Sequence, residues 1–306
     1  MNTVKFRAHI SLFLAACMWG LMAPIGKAAM DAGITGLMLA NMRMLGAAVC
    51  FWLASLFAKK EQVGRKDLFL MFMASMLSIV LNQGCYTFGL SLTSPVDASI
   101  VTTMLPIITM ILAALFLKEP VTPLKVGGIL MGLVGAVILV MSNATSGGRD
   151  GNIWGDMLCL CSQFSFACYL TIFKGLIARY NIFTLMKWMF LFASVCFIPF
   201  SYTDFVSSDF SRFGLEVWLE VGFVVFFGTF LAYIFMLYGQ KTVRPTIVSM
   251  YNYFQPIMGT SVAVLMGMST FGWNKAMASL LIFAGVYVVT QSKSRVQVAT
   301  AKHAED

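Results

Sequence analysis

PVDASIVTTMLP at residues 95–106 and PTIVSMYNYFQP at residues 245–256 are two apolar stretches with one pattern. In each, a proline comes first, a serine follows four residues later, and a second proline lies seven residues beyond the serine. The two stretches are 150 residues apart in a chain of 306. Gly89 and Gly239 have the same separation. A pattern that returns after half the chain predicts a fold built from two copies of one unit.

The composition predicts that these units lie in a membrane. Hydrophobic residues make up 59% of the chain and charged residues only 11%, whereas about a quarter of a soluble domain is charged. Ten stretches are apolar over roughly the 20 residues that a helix needs to cross the hydrocarbon core. Helices are expected because backbone groups in lipid must bond within their own segment. The predicted spans are 8–30, 35–58, 68–90, 95–117, 123–142, 152–174, 183–201, 216–238, 245–268 and 273–291.

Five spans per copy is an odd number, so the second copy must enter the membrane in the opposite sense. The expected fold is an all-α membrane protein with ten transmembrane helices, arranged as two inverted five-helix repeats. We expect the repeats at residues 1–145 and 146–292, followed by a polar cytoplasmic tail at 293–306. Inverted repeats are typical of secondary transporters, whose substrate site lies between the halves near the midplane.

The distribution of positive charge predicts the orientation. Sixteen of the 21 lysines and arginines fall on one side of the predicted spans, and cytoplasmic loops carry such an excess. The protein is therefore expected in a bacterial inner membrane, with both termini on the cytoplasmic side. Because the basic residues lie in short loops between apolar spans, the net charge of +8 does not indicate a nucleic-acid surface. The expected partners are membrane lipids and a small-molecule substrate.

The junction after the fourth span resembles a known family. FLKEP at 116–120, followed by GG at 127–128 and GLVG at 132–135, is similar to the fourth-to-fifth helix junction of the EamA family, within the drug/metabolite transporter superfamily. The first half resembles the same family at Trp19-Gly20, Pro24 and Arg43. The resemblance covers nearly the whole chain. It implies export or exchange of small metabolites, with amino acids and related solutes as the family-level expectation.

Two details of this junction carry structural predictions. The position 150 residues after Glu119 is Ser269, so the second half lacks an equivalent acid. Glu119 is expected to stabilise the turn that leads into the fifth helix. Gly128 and Gly132 form a small-residue pair one turn apart, which predicts close helix packing. That packing is expected either within the chain or between two copies in a homodimer.

Polar side chains near mid-membrane are the candidate substrate ligands. Each repeat has a polar stripe beside a proline of the fourth or ninth span, at helical i, i+3 and i+4 spacing. The stripes contain Ser99, Thr102 and Thr103, and Ser249, Asn252 and Tyr253. A proline frees the carbonyl group four residues back. Pro106 and Pro256 are therefore expected either to shape a substrate cavity, with a hinge role in alternating access, or to produce a packing kink.

Arg43 is the strongest single candidate for a substrate ligand, because an ionisable side chain about two turns inside the second span is costly without a function. It is expected to attract an anionic group of a metabolite, to extend outward to the membrane surface, or to fix helix ends by bonding to their carbonyl groups. Amide and aromatic side chains complete the candidate set, as substrate contacts or as packing between helices. They are Trp19, Asn82, Gln83, Tyr86, Tyr233 and Gln255.

Residue types needed for other activities are missing from the sequence. It contains no Walker A loop and no HExxH motif, and His9 and His303 both lie near the ends. No membrane-centred acid offers a proton carrier, which favours exchange or facilitated movement over obligate proton coupling. We therefore expect no enzyme activity and no cofactor. A channel or facilitator for small solutes is the alternative, and a membrane-embedded lipid-modifying enzyme is a further one.

Overall fold

The computed structural model describes residues 3–92, 101–143, 153–265 and 272–292, and all regular secondary structure in these residues is helical. The first half contains α1 (Thr3–Asp31), α2 (Gly36–Ser55), α3 (Arg65–Ser75), α4 (Asn82–Leu92), α5 (Leu105–Leu117) and α6 (Pro123–Asn143). The second half contains α7 (Ile153–Ile172), α8 (Lys174–Arg179), α9 (Ile182–Ser207), α10 (Leu215–Val225), α11 (Ala232–Thr242), α12 (Pro245–Met250), α13 (Phe254–Leu265) and α14 (Trp273–Gln291). Short 3-10 segments lie at Phe210–Arg212 and Tyr251–Tyr253. The predicted tail at 293–306 lies outside the described residues.

The helices are long and apolar, as a membrane protein requires. Within the described ranges, six stretches are long and apolar enough to cross a bilayer: Thr3–Met22, Gly36–Ser55, Arg65–Gly89, Ile153–Ile172, Ile182–Ser207 and Leu215–Thr242. Three shorter apolar helices are Leu105–Leu117, Pro123–Ile138 and Ala276–Gln291. Large apolar side chains such as Leu115 and Leu215 are exposed on the outside, where lipid would surround them. The chain is a multi-pass membrane protein, and its predicted span at 245–268 is divided between α12 and α13.

The third span of each half has the same internal pattern. A π-helical segment, Met76–Leu81, joins α3 to α4, and a second one, Phe226–Leu231, joins α10 to α11. All six boundaries of the first set differ by 150 residues from those of the second. A π-helical turn accommodates one extra residue, and such turns are rare and frequent at functional sites. Their occurrence at equivalent positions supports the predicted duplication.

The halves pack across each other with approximate twofold symmetry. α1 packs on α11 and α13 of the second half, and α7 packs on α4 and α5 of the first half. α2 packs on its counterpart α9, and α6 packs on its counterpart α14. The first helix of each half therefore completes a wall formed by the third and fourth spans of the other half. This exchange puts residues from both halves around one central space.

Glycines set the closest contact between the fifth and tenth predicted spans. A Cβ atom on Gly285 would lie 2.6 Å from the carbonyl oxygen of Gly128 and 2.7 Å from the backbone nitrogen of Gly132. The backbones of α6 and α14 are therefore in direct contact, which only small residues allow. The close packing predicted at Gly128 and Gly132 occurs within one chain. A homodimer stays a prediction.

Polar contacts join loops of the two halves at one end of the bundle. Glu61 Oε2 accepts a hydrogen bond from the backbone N–H of Asn181 at 2.8 Å. Asp67 accepts hydrogen bonds from Tyr180 OH at 2.6 Å and from Arg179 Nη1 at 3.1 Å. The hydrogen bond to Asp67 raises the pKa of Tyr180, because the carboxylate stabilises the protonated phenol. Glu61, Tyr180 and Asn181 lie in loops, Asp67 lies in the first turn of α3, and Arg179 is the last residue of α8, so these contacts join the two halves where helices meet loops.

Glu119 ties three segments together at the same end. Its Oε2 atom accepts hydrogen bonds from Lys125 Nζ and Thr246 Oγ1, both at 3.0 Å. Glu119 is 7% exposed and Lys125 is 1% exposed, so the ion pair is buried. Glu119 therefore ties the turn between α5 and α6, as predicted, and it also bonds to α12 of the other half.

Different contacts join the halves at the opposite end. The hydroxyl of Thr35, at the start of α2, donates to Asp204 near the end of α9. One turn further into the bundle, the side-chain amide of Asn41 donates to Ser201. Asn41 and Ser201 are both buried, with at most 1% of either residue exposed. The pair of α2 and α9 is therefore held at this end by polar contacts within an otherwise apolar interface.

Candidate functional site

A central cavity of about 190 Å³ lies between the two halves. Its walls come from α1, α2, α4, the segment before α5, α7, α10, α11 and the break between α12 and α13. Nine of the predicted site residues line it: Trp19, Arg43, Asn82, Gln83, Tyr86, Thr102, Tyr233, Asn252 and Gln255. The fold therefore brings both repeats' polar side chains to one place.

Arg43 reaches the cavity from α2. Its Nε atom donates a hydrogen bond to Thr229 Oγ1 at 3.0 Å. Within the four described ranges, Arg43 forms no ion pair with a carboxylate, and its Nη1 and Nη2 atoms form no hydrogen bond. Gly46 lets α2 approach α10, because a Cβ atom there would lie 2.5 Å from Val225 Cγ1. Arg43 thus lines the cavity, with both terminal nitrogens able to bind an anion.

Two amides of α4 are held by neighbouring helices. Asn82 Nδ2 donates to the carbonyl oxygen of Ser162 at 3.1 Å and to its Oγ at 3.0 Å. Gln83 Nε2 donates to Tyr233 OH at 3.1 Å, and Tyr233 OH donates to the carbonyl oxygen of Ser78 at 3.3 Å. Both amides also line the cavity. The two alternatives for these amides, bonding between helices and a place at the cavity, are therefore compatible.

Trp19 forms an aromatic wall of the cavity. Its ring lies edge-on to Phe166, with centroids 6.4 Å apart, and edge-on to Tyr233, with centroids 5.9 Å apart. Edge-to-face pairs of this kind are favourable contacts between aromatic rings and restrict their orientation. Tyr86 lines the same cavity from α4. The indole of Trp19 is therefore held in place as an apolar surface beside the polar groups.

Pro106 and Pro256, the hinge candidates, lie in the first turns of helices. The predicted alternative of a packing kink inside a continuous helix is therefore wrong. Pro106 lies in the first turn of α5, after a turn at Thr103–Met104. Pro256 is the third residue of α13, after the 3-10 segment Tyr251–Tyr253. Proline suits the first turn of a helix, where its missing N–H and fixed φ cost nothing. Both spans are thus interrupted, and a hinge role for the prolines stays a prediction.

Some predicted ligands within the described residues do not line the cavity. Thr103 and Ser249 are buried away from it, and the Ser249 hydroxyl donates to the carbonyl oxygen of Thr246 at 2.9 Å. Ser99 lies outside the described residues. The stripe prediction assumes a continuous helix, and each span is broken within its stripe. Residues before and after the break therefore turn to different faces.

Ser162 and Gln163 of α7 line the cavity and were not predicted. Their signal is two adjacent polar residues within an apolar span, the same signal that Asn82 and Gln83 give in the third span. The other unpredicted lining residues are Met22, Gly26, Met30, Leu39, Thr87, Phe166 and Val224. Most of these are apolar, so nothing in the sequence separates them from residues that face lipid or the core.

Comparison with known families gives the same duplicated layout. The model of the EamA-like transporter family matches residues 6–141 and matches again at residues 153–291. The chain belongs to the EamA-like transporter family. Each EamA-like half contains one of the two π-helical segments, and the cavity lies between the two halves.

Three relatives of this EamA-like chain match it over almost its full length. The uncharacterized transporter YetK of Bacillus subtilis is 23% identical over 94% of this chain and 88% of that protein. An uncharacterized transporter of Archaeoglobus fulgidus is 25% identical, over 93% and 99%. A WAT1-related protein of Arabidopsis thaliana is 23% identical, over 96% and 87%. A solved crystal structure has the same fold, with a TM-score of 0.76 at 19% identity over 94% of this chain and 98% of that one. The protein is thus a membrane transporter of the EamA type.

Proposed function

We propose that the protein is a secondary transporter that exports or exchanges an amino acid or a related solute with an anionic group, by alternating access. The observation that carries this proposal is Arg43, which lines the cavity without a carboxylate partner among the described residues. A guanidinium taken out of water without an ion pair is costly. A carboxylate bound through two parallel N–H···O bonds would offset that cost and match the planar fork of arginine.

The position of the cavity supports alternating access. Its lining residues Met30 and Leu39 lie near the end of the bundle where Thr35 bonds to Asp204. Among the described residues, none that lines the cavity comes from the opposite end, where Asp67 bonds to Tyr180 and Arg179. In this proposal the ten predicted spans lie inverted in an inner membrane, with both termini in the cytoplasm. The loop contacts then close the cytoplasmic side, and the prolines that begin α5 and α13 are flex points.

Counterflow in proteoliposomes tests the proposal with the purified full chain. The probes are radiolabelled glycine, L-alanine, L-leucine and L-phenylalanine, each competed with the free acid and with its amide. We expect saturable, trans-accelerated uptake in which the acids compete better than the amides. Arg43→Gln should weaken competition by the acids about 10-fold or more, because a hydrogen-bonded charge contributes roughly 1.5–3 kcal/mol.

Arg212→Gln is the matched control, since the Arg212 side chain is 80% exposed in the 3-10 segment Phe210–Arg212 and, among the described residues, forms an ion pair only with Asp209. It should leave uptake unchanged. Equal competition by acids and amides in the wild type, or no change in Arg43→Gln, would contradict the anionic-solute proposal. Solute flux without trans-acceleration would favour the channel alternative.

A further inference from the structure

The π-helical segment of the second half makes a contact that its counterpart in the first half lacks. Within Phe226–Leu231, Thr229 is fully buried and accepts the hydrogen bond from Arg43 Nε. The Thr229 hydroxyl donates to the carbonyl oxygen of Val224, five residues back, at 2.8 Å. This five-residue separation is the one that a π-helical turn brings into register. A hydroxyl has one proton, and the Thr229 hydroxyl directs it to the carbonyl oxygen of Val224. Only the lone pairs of Thr229 Oγ1 are then left to accept a hydrogen bond from Arg43.

We propose that Thr229 is the positioning residue of the anion site. The bond to Nε holds one edge of the guanidinium plane, so that the two Nη atoms are left for the cavity. Two adjacent N–H groups in one plane are the arrangement that grips a carboxylate with two parallel bonds. The identity of the bound solute rests on the proposed function, whereas the positioning of Arg43 by Thr229 does not depend on it.

The equivalent positions of the first half show that this arrangement occurs once. Ile79 lies 150 residues before Thr229. Met189 is the counterpart of Arg43, by the same offset that relates Ala47 to Ala193. Ile79 and Met189 are apolar and fully buried. The pseudo-symmetric fold therefore has this guanidinium on one side of the cavity only, and a solute with one anionic group would bind in one orientation.

The π-helical segment of the first half serves a different contact. It offers backbone carbonyl groups to the other repeat: Ser78 accepts from Tyr233 OH at 3.3 Å, and Leu77 accepts from Ser165 Oγ at 2.5 Å. A π-helical turn disturbs the regular hydrogen bonding of the helix, which leaves such carbonyls available to side chains. Each repeat thus uses the same local irregularity for a bond to another span, and among the described residues only the second segment bonds to a cationic side chain.

Chemical modification of Arg43 tests the positioning without any solute. The purified full chain is treated with 2,3-butanedione in borate, and modification of Arg43 is followed by peptide mass spectrometry, with the exposed Arg7 as internal reference. Thr229→Val and Thr229→Ala both remove the hydroxyl and should raise the rate at Arg43 several-fold. Thr229→Ser keeps the hydroxyl and should restore the wild-type rate.

Thr171→Val is the matched control, because Thr171 is also fully buried and its hydroxyl bonds within its own helix. It should leave the rate at Arg43 unchanged. The same rate in the wild type, Thr229→Val and Thr229→Ala would overturn the proposal.

Transport measurements test whether Thr229 acts through Arg43. In the counterflow assay, Thr229→Val should weaken competition by the acid probes about 10-fold and competition by the amides much less. In an Arg43→Gln background, Thr229→Val should have no further effect on the acids. An undiminished effect in that background would assign Thr229 a structural role only and overturn the proposal. If the wild type does not distinguish acids from amides, the proposed function fails, while the modification rates still decide the role of Thr229.

Discussion

Replacing Gly128 with alanine should destabilise the protein, whereas the same change at the neighbouring Gly127 should not. A Cβ atom on Gly128 would lie 2.7 Å from Val289 Cγ2 and 2.9 Å from the carbonyl oxygen of Gly285, both below the 3.0 Å that real Cβ contacts keep. A Cβ atom on Gly127 would meet no atom within 4 Å. Because both glycines belong to α6, the two variants form a matched pair.

The expected magnitude follows from two opposing terms. Both substitutions gain about 1 kcal/mol of helix propensity, so the difference between them isolates the contact with α14. Overpacking a close contact costs about 1–3 kcal/mol, and the carbonyl of Gly285 belongs to a helix backbone that cannot rotate away. Gly127→Ala should therefore be neutral or slightly stabilising. Gly128→Ala should have a free energy of unfolding about 1–3 kcal/mol below that of Gly127→Ala.

Unfolding by SDS in mixed micelles, followed by circular dichroism, measures these free energies. Gly285→Ala should cost at least as much as Gly128→Ala, because its Cβ atom would lie 2.6 Å from a backbone oxygen. The double variant should cost less than the sum of the single ones, since one separation of α6 from α14 relieves both clashes. Equal stability of Gly127→Ala and Gly128→Ala would refute the backbone contact.

Two further predictions concern the end of the bundle where loops of both halves meet. Glu119→Gln and Lys125→Met each leave one member of a buried ion pair alone, and each should lower the free energy of unfolding by about 3–5 kcal/mol. The double variant should cost less than either, and a larger loss would contradict this reasoning. Tyr180→Phe removes a phenol whose folded-state pKa is raised by Asp67, so its stabilisation is present below the ordinary value of 10.0 and is lost as the pH rises through the raised value. The stability difference between wild type and Tyr180→Phe should therefore shrink above about pH 10, and a difference that stays constant in that range would count against the bond to Asp67.

Spacing along single helices makes much of the site predictable from the sequence. Asn82, Gln83 and Tyr86 follow one another at intervals that share a helix face, and all three line the cavity. Arg43 is predictable for a different reason, because an ionisable side chain inside an apolar span needs an explanation of its own. These signals are local, so they identify site residues without knowledge of how the helices pack.

The rest of the site depends on breaks in helical regularity, which leave no trace in residue spacing. Thr103 and Ser249 do not line the cavity because their spans are interrupted, so that the face counted along a continuous helix is lost. Thr229 escapes prediction because its role depends on one extra residue in a turn and on a partner 186 positions away. Only the assembled fold brings such residues together.

Gln83 and Tyr233 are equivalent positions of the two repeats, and they bond to each other. Two equivalent points can touch only where the pseudo-twofold axis passes between them. In the proposed alternating access, this contact lies on the axis that relates the two repeats, and it can stay intact while the two mouths of the protein open in turn.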